Sequence, residues 1–100
     1  MKNEEKTILK IAENVLIELG NLSADYKISG TKFINDHIPI RGKYKGEKTA
    51  IWSVYLDDLI FDTTDFLFIM DETGEPLYAQ SKHGVSEIEK VDGKYKWKKS

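Results

Sequence analysis

The chain reads as an α+β domain, one N-terminal helix packed on a mostly antiparallel sheet of about five or six strands. Three observations lead there. Apolar residues between Ile8 and Leu19 recur at the spacing of one helix face, the period falls to two after Gly20, and Asp92-Gly93 closes a hairpin near the C-terminus. A helix with one apolar stripe must bury it against something, and a sheet with one apolar face is the partner on offer, so the layers number two.

The helix is expected over about 4–19, its stripe made by Ile8, Ile11, Ala12, Val15, Leu16 and Leu19. Asn3 stands where an N-cap would, Glu4 and Glu5 occupy the first turn where the helix dipole favours negative charge, and Gly20 supplies the left-handed stop. Residues 25–41 hold weaker strands, with Pro39 implying an edge position or a bulge. From Thr49 the alternation sharpens: Ala50, Trp52, Val54 and Leu56 share one face of a strand over about 49–57. A strand over about 65–71 is apolar on both faces through Phe66-Leu67-Phe68-Ile69-Met70, which suits a central strand covered on both sides or covered by a partner. Trp52, Val54, Phe66 and Phe68 are assigned mainly to the core. Asp71-Glu72-Thr73-Gly74 reads as a turn with Gly74 at the positive-φ position, and the return strand spans about 75–81.

The last hairpin, with strands about 85–91 and 94–98, can be registered in advance. A two-residue turn at Asp92-Gly93 pairs Val91 with Lys94, Lys90 with Tyr95, Glu89 with Lys96, Ile88 with Trp97 and Glu87 with Lys98. Two of those pairs are of opposite charge, each contributing a few tenths of a kcal/mol.

At 100 residues the chain is one domain's worth, hiding roughly 65% of its unfolded surface, with little room for a large buried active site. The absence of cysteine excludes disulfides, thiol catalysis and thiolate zinc sites. A net charge of -2 argues against wholesale attraction to nucleic acid or lipid. There is no apolar run of signal-peptide or membrane-span length, so a cytoplasmic protein without a membrane association is expected.

Catalytic patterns are thin. His37 and His83 sit in turn-like segments 46 positions apart, so an acid–base pair would need two loops to meet. No serine occupies a nucleophile elbow, and Gly42 and Gly46 fit no phosphate-loop spacing, so no cofactor is expected. Charge distribution says more. Residues 57–75 carry Asp57, Asp58, Asp62, Asp65, Asp71, Glu72 and Glu75 without a Lys or Arg. Their spacing lacks the alternation and glycine of a calcium loop, so no metal is assigned, and an acidic recognition surface or solvated turns remain. Two basic clusters oppose it, Arg41, Lys43, Lys45 and Lys48 around Tyr44, and Lys94, Lys96, Lys98 and Lys99 around Tyr95 and Trp97. The second pair of aromatics falls on the strand face away from the lysines, which fits core residues better than a nucleic-acid platform.

The order of Ile11-Ala12-Glu13-Asn14-Val15-Leu16, Trp52-Ser53-Val54, Asp71-Glu72-Thr73-Gly74-Glu75 and His83-Gly84 resembles small bacterial immunity proteins of polymorphic toxin systems. Among these are members described as having a nuclear-transport-factor-like fold; the order is also similar to helix-plus-hairpin units of PepSY-type and cystatin-like domains. The resemblance covers about residues 8–84 and implies a stoichiometric inhibitor that blocks a toxin without turnover. The partner expected is thus a protein, possibly cationic, and no nucleic acid; the state is monomer or homodimer. Asp57, Asp58, Asp62 and Asp65 are the residues expected to steer it, and Tyr55 and Phe61 to anchor it. Reversing Asp58 and Asp62 to Lys is expected to slow association and leave the thermal midpoint nearly unchanged. The alternatives are a small ligand-binding or enzymatic domain using a cavity between helix and sheet, or a domain of unknown role or regulatory peptidase inhibitor of the kind the PepSY-type resemblance suggests.

Overall fold

Ile8, Ala12, Val15 and Leu16 are all 0–1% exposed, the buried stripe of a single helix, α1 (Glu5–Leu19). Removing Ile8, Val15 and Leu16 from water contributes about 1.5–3 kcal/mol apiece. The helix ends as its glycine predicts: Gly20 has φ 74°, its N–H donates to the Ile17 carbonyl, and Asn21 N–H reaches back to Leu16 at 2.9 Å. Its start differs from expectation. Glu4 occupies the N-cap position without a side-chain cap bond, and Asn3 instead donates from Nδ2 to the Asp71 carbonyl at 2.6 Å.

The computed structural model describes residues 2–98, and Lys99 of the second basic cluster lies outside them. Six strands follow the helix, β1 (Tyr26–His37), β2 (Thr49–Asp58), β3 (Thr63–Met70), β4 (Pro76–Ser81), β5 (Gly84–Val91) and β6 (Lys94–Trp97). Each pairs antiparallel with its sequence neighbour, so the sheet runs β1 to β6 in chain order.

One face of the sheet meets α1. Trp52, Val54 and Leu56 of β2 and Leu67 and Ile69 of β3 join the helix stripe in one buried cluster. From the flanks Ile28 and Phe33 of β1, Ala79 of β4, Ile88 of β5 and Tyr95 of β6 pack against it. Ile28 and Phe33 face the helix although five residues apart, because the pairing slips between Ile28 and Gly30 and puts one extra residue into β1. The other face carries a second buried cluster, Ile51, Phe68, Met70, Leu77 and Tyr78. Strand β3 is therefore covered twice, by α1 and by the loop 38–48, whose Tyr44 packs on the second cluster. Pro39 lies in that loop just beyond β1, fully buried, and not in a strand as its edge-or-bulge reading supposed.

The last hairpin has the register predicted. Ile88 faces Trp97, Glu89 faces Lys96, Lys90 faces Tyr95 and Val91 faces Lys94, around positive φ at Asp92 (51°) and Gly93 (79°). Glu87 and Lys98 continue it with a backbone bond of 2.9 Å and an ion pair of 4.0 Å.

Candidate functional site

The connection between β2 and β3 is four residues long, Leu59 to Asp62, and its shape is set by the aspartates around it. Asp58 Oδ1 accepts the N–H groups of Ile60 and Phe61 at 3.0 and 3.1 Å, folding the chain back over its own carboxylate. Asp62 completes the turn at φ 52°, a left-handed conformation that aspartate tolerates better than most residues. Leu59 N–H donates to the Asp25 carbonyl at 2.8 Å and ties the hairpin to the segment after α1. With the backbone committed inward, the side chains go outward: Leu59 is 57% exposed, and Ile60 and Phe61 are each 69% exposed.

The remaining predicted site residues gather at this end of the sheet but divide between its faces. Asp57 lies on the face away from α1, opposite Lys27, and accepts the Thr64 hydroxyl at 3.1 Å. Tyr55 is on that same face, edge-on to Phe66 with ring centroids 5.7 Å apart. Phe66, assigned to the core from sequence, is only half-buried there. Asp65 points to the helix side, where its Oδ2 accepts the Tyr26 hydroxyl at 2.8 Å. Burial and then the Asp65 carboxylate push the Tyr26 phenol well above its ordinary value, since ionisation would set two negative charges side by side in a poorly hydrated place.

The acidic run of 57–75 is thus two groups. Asp57, Asp58, Asp62 and Asp65 surround the β2–β3 tip, whereas Asp71, Glu72 and Glu75 lie beyond the other end of β3, a strand of eight residues and about 26 Å. Asp71 belongs to the core. It is 2% exposed, accepts the Trp52 indole N–H at 2.7 Å, and receives the backbone N–H groups of Lys2 and Asn3. Burial alone would raise its carboxyl; those donors outweigh it and hold the group below the usual carboxylate range.

Two features of the tip are absent from the sequence reading. Leu59 and Ile60 were not singled out, though three consecutive large apolar residues between aspartates are themselves a signal once a turn is placed there. Lys82, from the turn after β4, stands 6.0 Å over the Phe61 ring, so the acidic end also holds a cation. Lys82, His83, Asp58, Phe61 and Asp65 line a cleft of about 300 Å³ beside the tip.

The histidines lie apart. His37 sits opposite Thr49 at the start of β2, stacked on Phe68 at 5.0 Å and 2.8 Å from the Tyr78 hydroxyl. His83 is exposed at the tip end of the sheet. Among the described residues no group of three or more carboxylates and histidines is placed to hold a metal, and no helix is long and apolar enough to cross a membrane. No family model, curated protein or solved structure matches the chain.

Proposed function

We propose that this chain is a non-catalytic cytoplasmic binding protein, an immunity-type inhibitor that neutralises a bacterial toxin by seating the β2–β3 tip on a cationic surface of it. The observation that carries this reading is the row Leu59, Ile60 and Phe61, held outward by a formed turn and more than half exposed. Single apolar side chains on a surface need no explanation, but a contiguous exposed row has the character of a docking surface. Covering the three contributes about 2–6 kcal/mol, roughly half to two-thirds of what full burial of such side chains provides. The surrounding carboxylates act mainly on approach, drawing in a basic surface over about a Debye length.

The reading that places a ligand between helix and sheet is disfavoured by packing. Ile8, Ala12, Val15 and Leu16 meet Trp52, Val54, Leu67 and Ile69 there, every one 4% exposed or less. His37 belongs to the opposite face and His83 to the surface.

The test uses the intact chain as bait in extracts of the producing cell, followed by association kinetics with the purified partner at low and high salt. Ile60→Ser combined with Phe61→Ser should abolish capture and restore the partner's toxicity. Asp62→Asn should slow association at low salt only. Asp58 is set aside as a steering probe because its carboxylate also forms the turn. A partner held equally well by the double variant, or one whose association ignores salt, would sink the proposal.

A further inference from the structure

Exposed apolar side chains are concentrated at two places on this chain. Of the seven large ones exposed among the described residues, three are Leu59, Ile60 and Phe61 at the β2–β3 tip, and two are Ile38 and Ile40 in the loop 38–48, 50% and 44% exposed. The other two, Ile17 on α1 and Val91 on β5, are single residues that need no explanation. Each group is set among charges of one prevailing sign. At the tip Asp57, Asp58, Asp62 and Asp65 stand against Lys27, opposite Asp57, and Lys82, over the Phe61 ring. Ile38 and Ile40 are followed by Arg41, Lys43 and Lys45, all exposed. Lys48, at the end of that loop, shares a cleft with Glu47 and Glu72 and adds little. The lysines of β6 offer no comparable surface, because Lys96 and Lys98 stand opposite Glu89 and Glu87.

The loop is as firmly shaped as the tip. Pro39 is fully buried, Tyr44 packs on the second core cluster, and Gly46 N–H donates to the Pro39 carbonyl at 3.0 Å, which brings the lysine-bearing segment back beside Ile38 and Ile40. Surfaces already ordered lose little conformational freedom when they dock. One chain cannot join its own two surfaces, since they are rooted at opposite ends of β2, a strand of ten residues and about 33 Å.

We propose that copies of this chain associate head to tail, the acidic, apolar tip of one seated on the basic, apolar loop 38–48 of the next. A second copy is the occupant that the charges select, because the chain itself carries a surface complementary to its tip in both sign and apolar character. With two or three apolar side chains on each side, the contact falls at the small end of the interface range, so it is weak, reversible and sensitive to salt. The two surfaces are unlike, so every joined pair keeps one free tip and one free loop, and further copies add. The contact needs no toxin. It covers the tip in the resting protein, and a tighter partner would displace the neighbouring copy.

The test is sedimentation equilibrium of the pure chain from about 0.02 to about 1 mM, at about 50 mM and about 500 mM salt. The average mass should climb past that of a dimer at low salt and return to that of a monomer at high salt. Ile60→Ser with Phe61→Ser, a tip variant, and Arg41→Glu with Lys45→Glu, a loop variant, should each stay monomeric at low salt. Mixed in equal amounts they should form a dimer and stop there, since one intact loop meets one intact tip. A second loop variant, Ile38→Ser with Ile40→Ser, should pair with the tip variant no better than the parent does, and should itself stay monomeric. A parent that is monomeric at the highest concentration, or a mixture of tip and charge-reversed loop variants no heavier than its components, overturns the proposal. Because the pure chain is measured, failure here leaves the toxin reading standing, and failure of that reading leaves this one standing.

Discussion

Replacing Asp71 by alanine removes at least three hydrogen bonds from one carboxylate, and the bonds are of unequal worth. The Trp52 indole N–H, 4% exposed and 2.7 Å from Oδ1, has its acceptor taken away in the middle of the main core, which costs about 1–3 kcal/mol. The Lys2 and Asn3 N–H groups are only partly buried and can recover water, so each adds about 0.5–1 kcal/mol. The total, about 2–5 kcal/mol, is a large share of the 5–15 kcal/mol that holds a typical domain together. At about 4–8 °C per kcal/mol, the thermal midpoint should drop by roughly 8–40 °C when followed by circular dichroism at neutral pH. Asp71→Asn keeps an oxygen for the indole but sets an amide N–H against the backbone donors, and should fall about midway. The acid limb adds a second readout. Because the folded-state carboxyl titrates below its unfolded value, its contribution is fully present above about pH 4 and is lost as pH falls through the depressed folded value. The alanine variant should therefore lose less stability on acidification than the parent does. An alanine variant within about 1 kcal/mol of the parent at neutral pH, with an unchanged acid limb, would refute this account of how the N-terminal segment is held.

Gly74→Ala should cost about 1–3 kcal/mol in urea unfolding, since position 74 has φ 75° and an added Cβ would stand 3.0 Å from Ile11 Cδ1 on the helix. In a spectrophotometric titration Tyr26 and Tyr78 should ionise above the ordinary phenol value, and Tyr26→Phe should remove one of these late steps.

What could be read from sequence was what local chemistry decides. The Asp92-Gly93 turn imposes a register that then runs residue by residue to Ile88 and Trp97, and the spacing from Ile8 to Leu19 leaves one face for the helix to bury. Strand β1 was obscure because two irregularities, at Ile28/Gly30 and Ile34/His37, shift its alternation so that no constant period survives. Asn3 lost its capping role to a residue 68 positions away, a contact no local pattern encodes. The site divided for the same reason. Tyr55 and Asp57 fall on the face opposite Asp65 because successive strand residues alternate, while Asp71, in the same acidic run, is held in the core by donors that include the Trp52 indole and the backbone N–H groups of Lys2 and Asn3.

Strict neighbour-to-neighbour pairing from β1 to β6 also has a kinetic consequence. Each hairpin closes a loop of only a few residues, except the longer β1–β2 connection, so most of the sheet can zip up at small entropic cost. The helix is the exception. It is made first, yet Glu18 meets the Tyr95 N–H across 77 positions and Asn21 meets Trp97 across 76. During synthesis its apolar stripe can settle on β2 and β3 as they pair, while its contacts with β6 close only when the last hairpin has emerged. Truncation before Lys94 should therefore leave the helix docked on the central strands but loosen its C-terminal end, seen as faster amide exchange near Glu18.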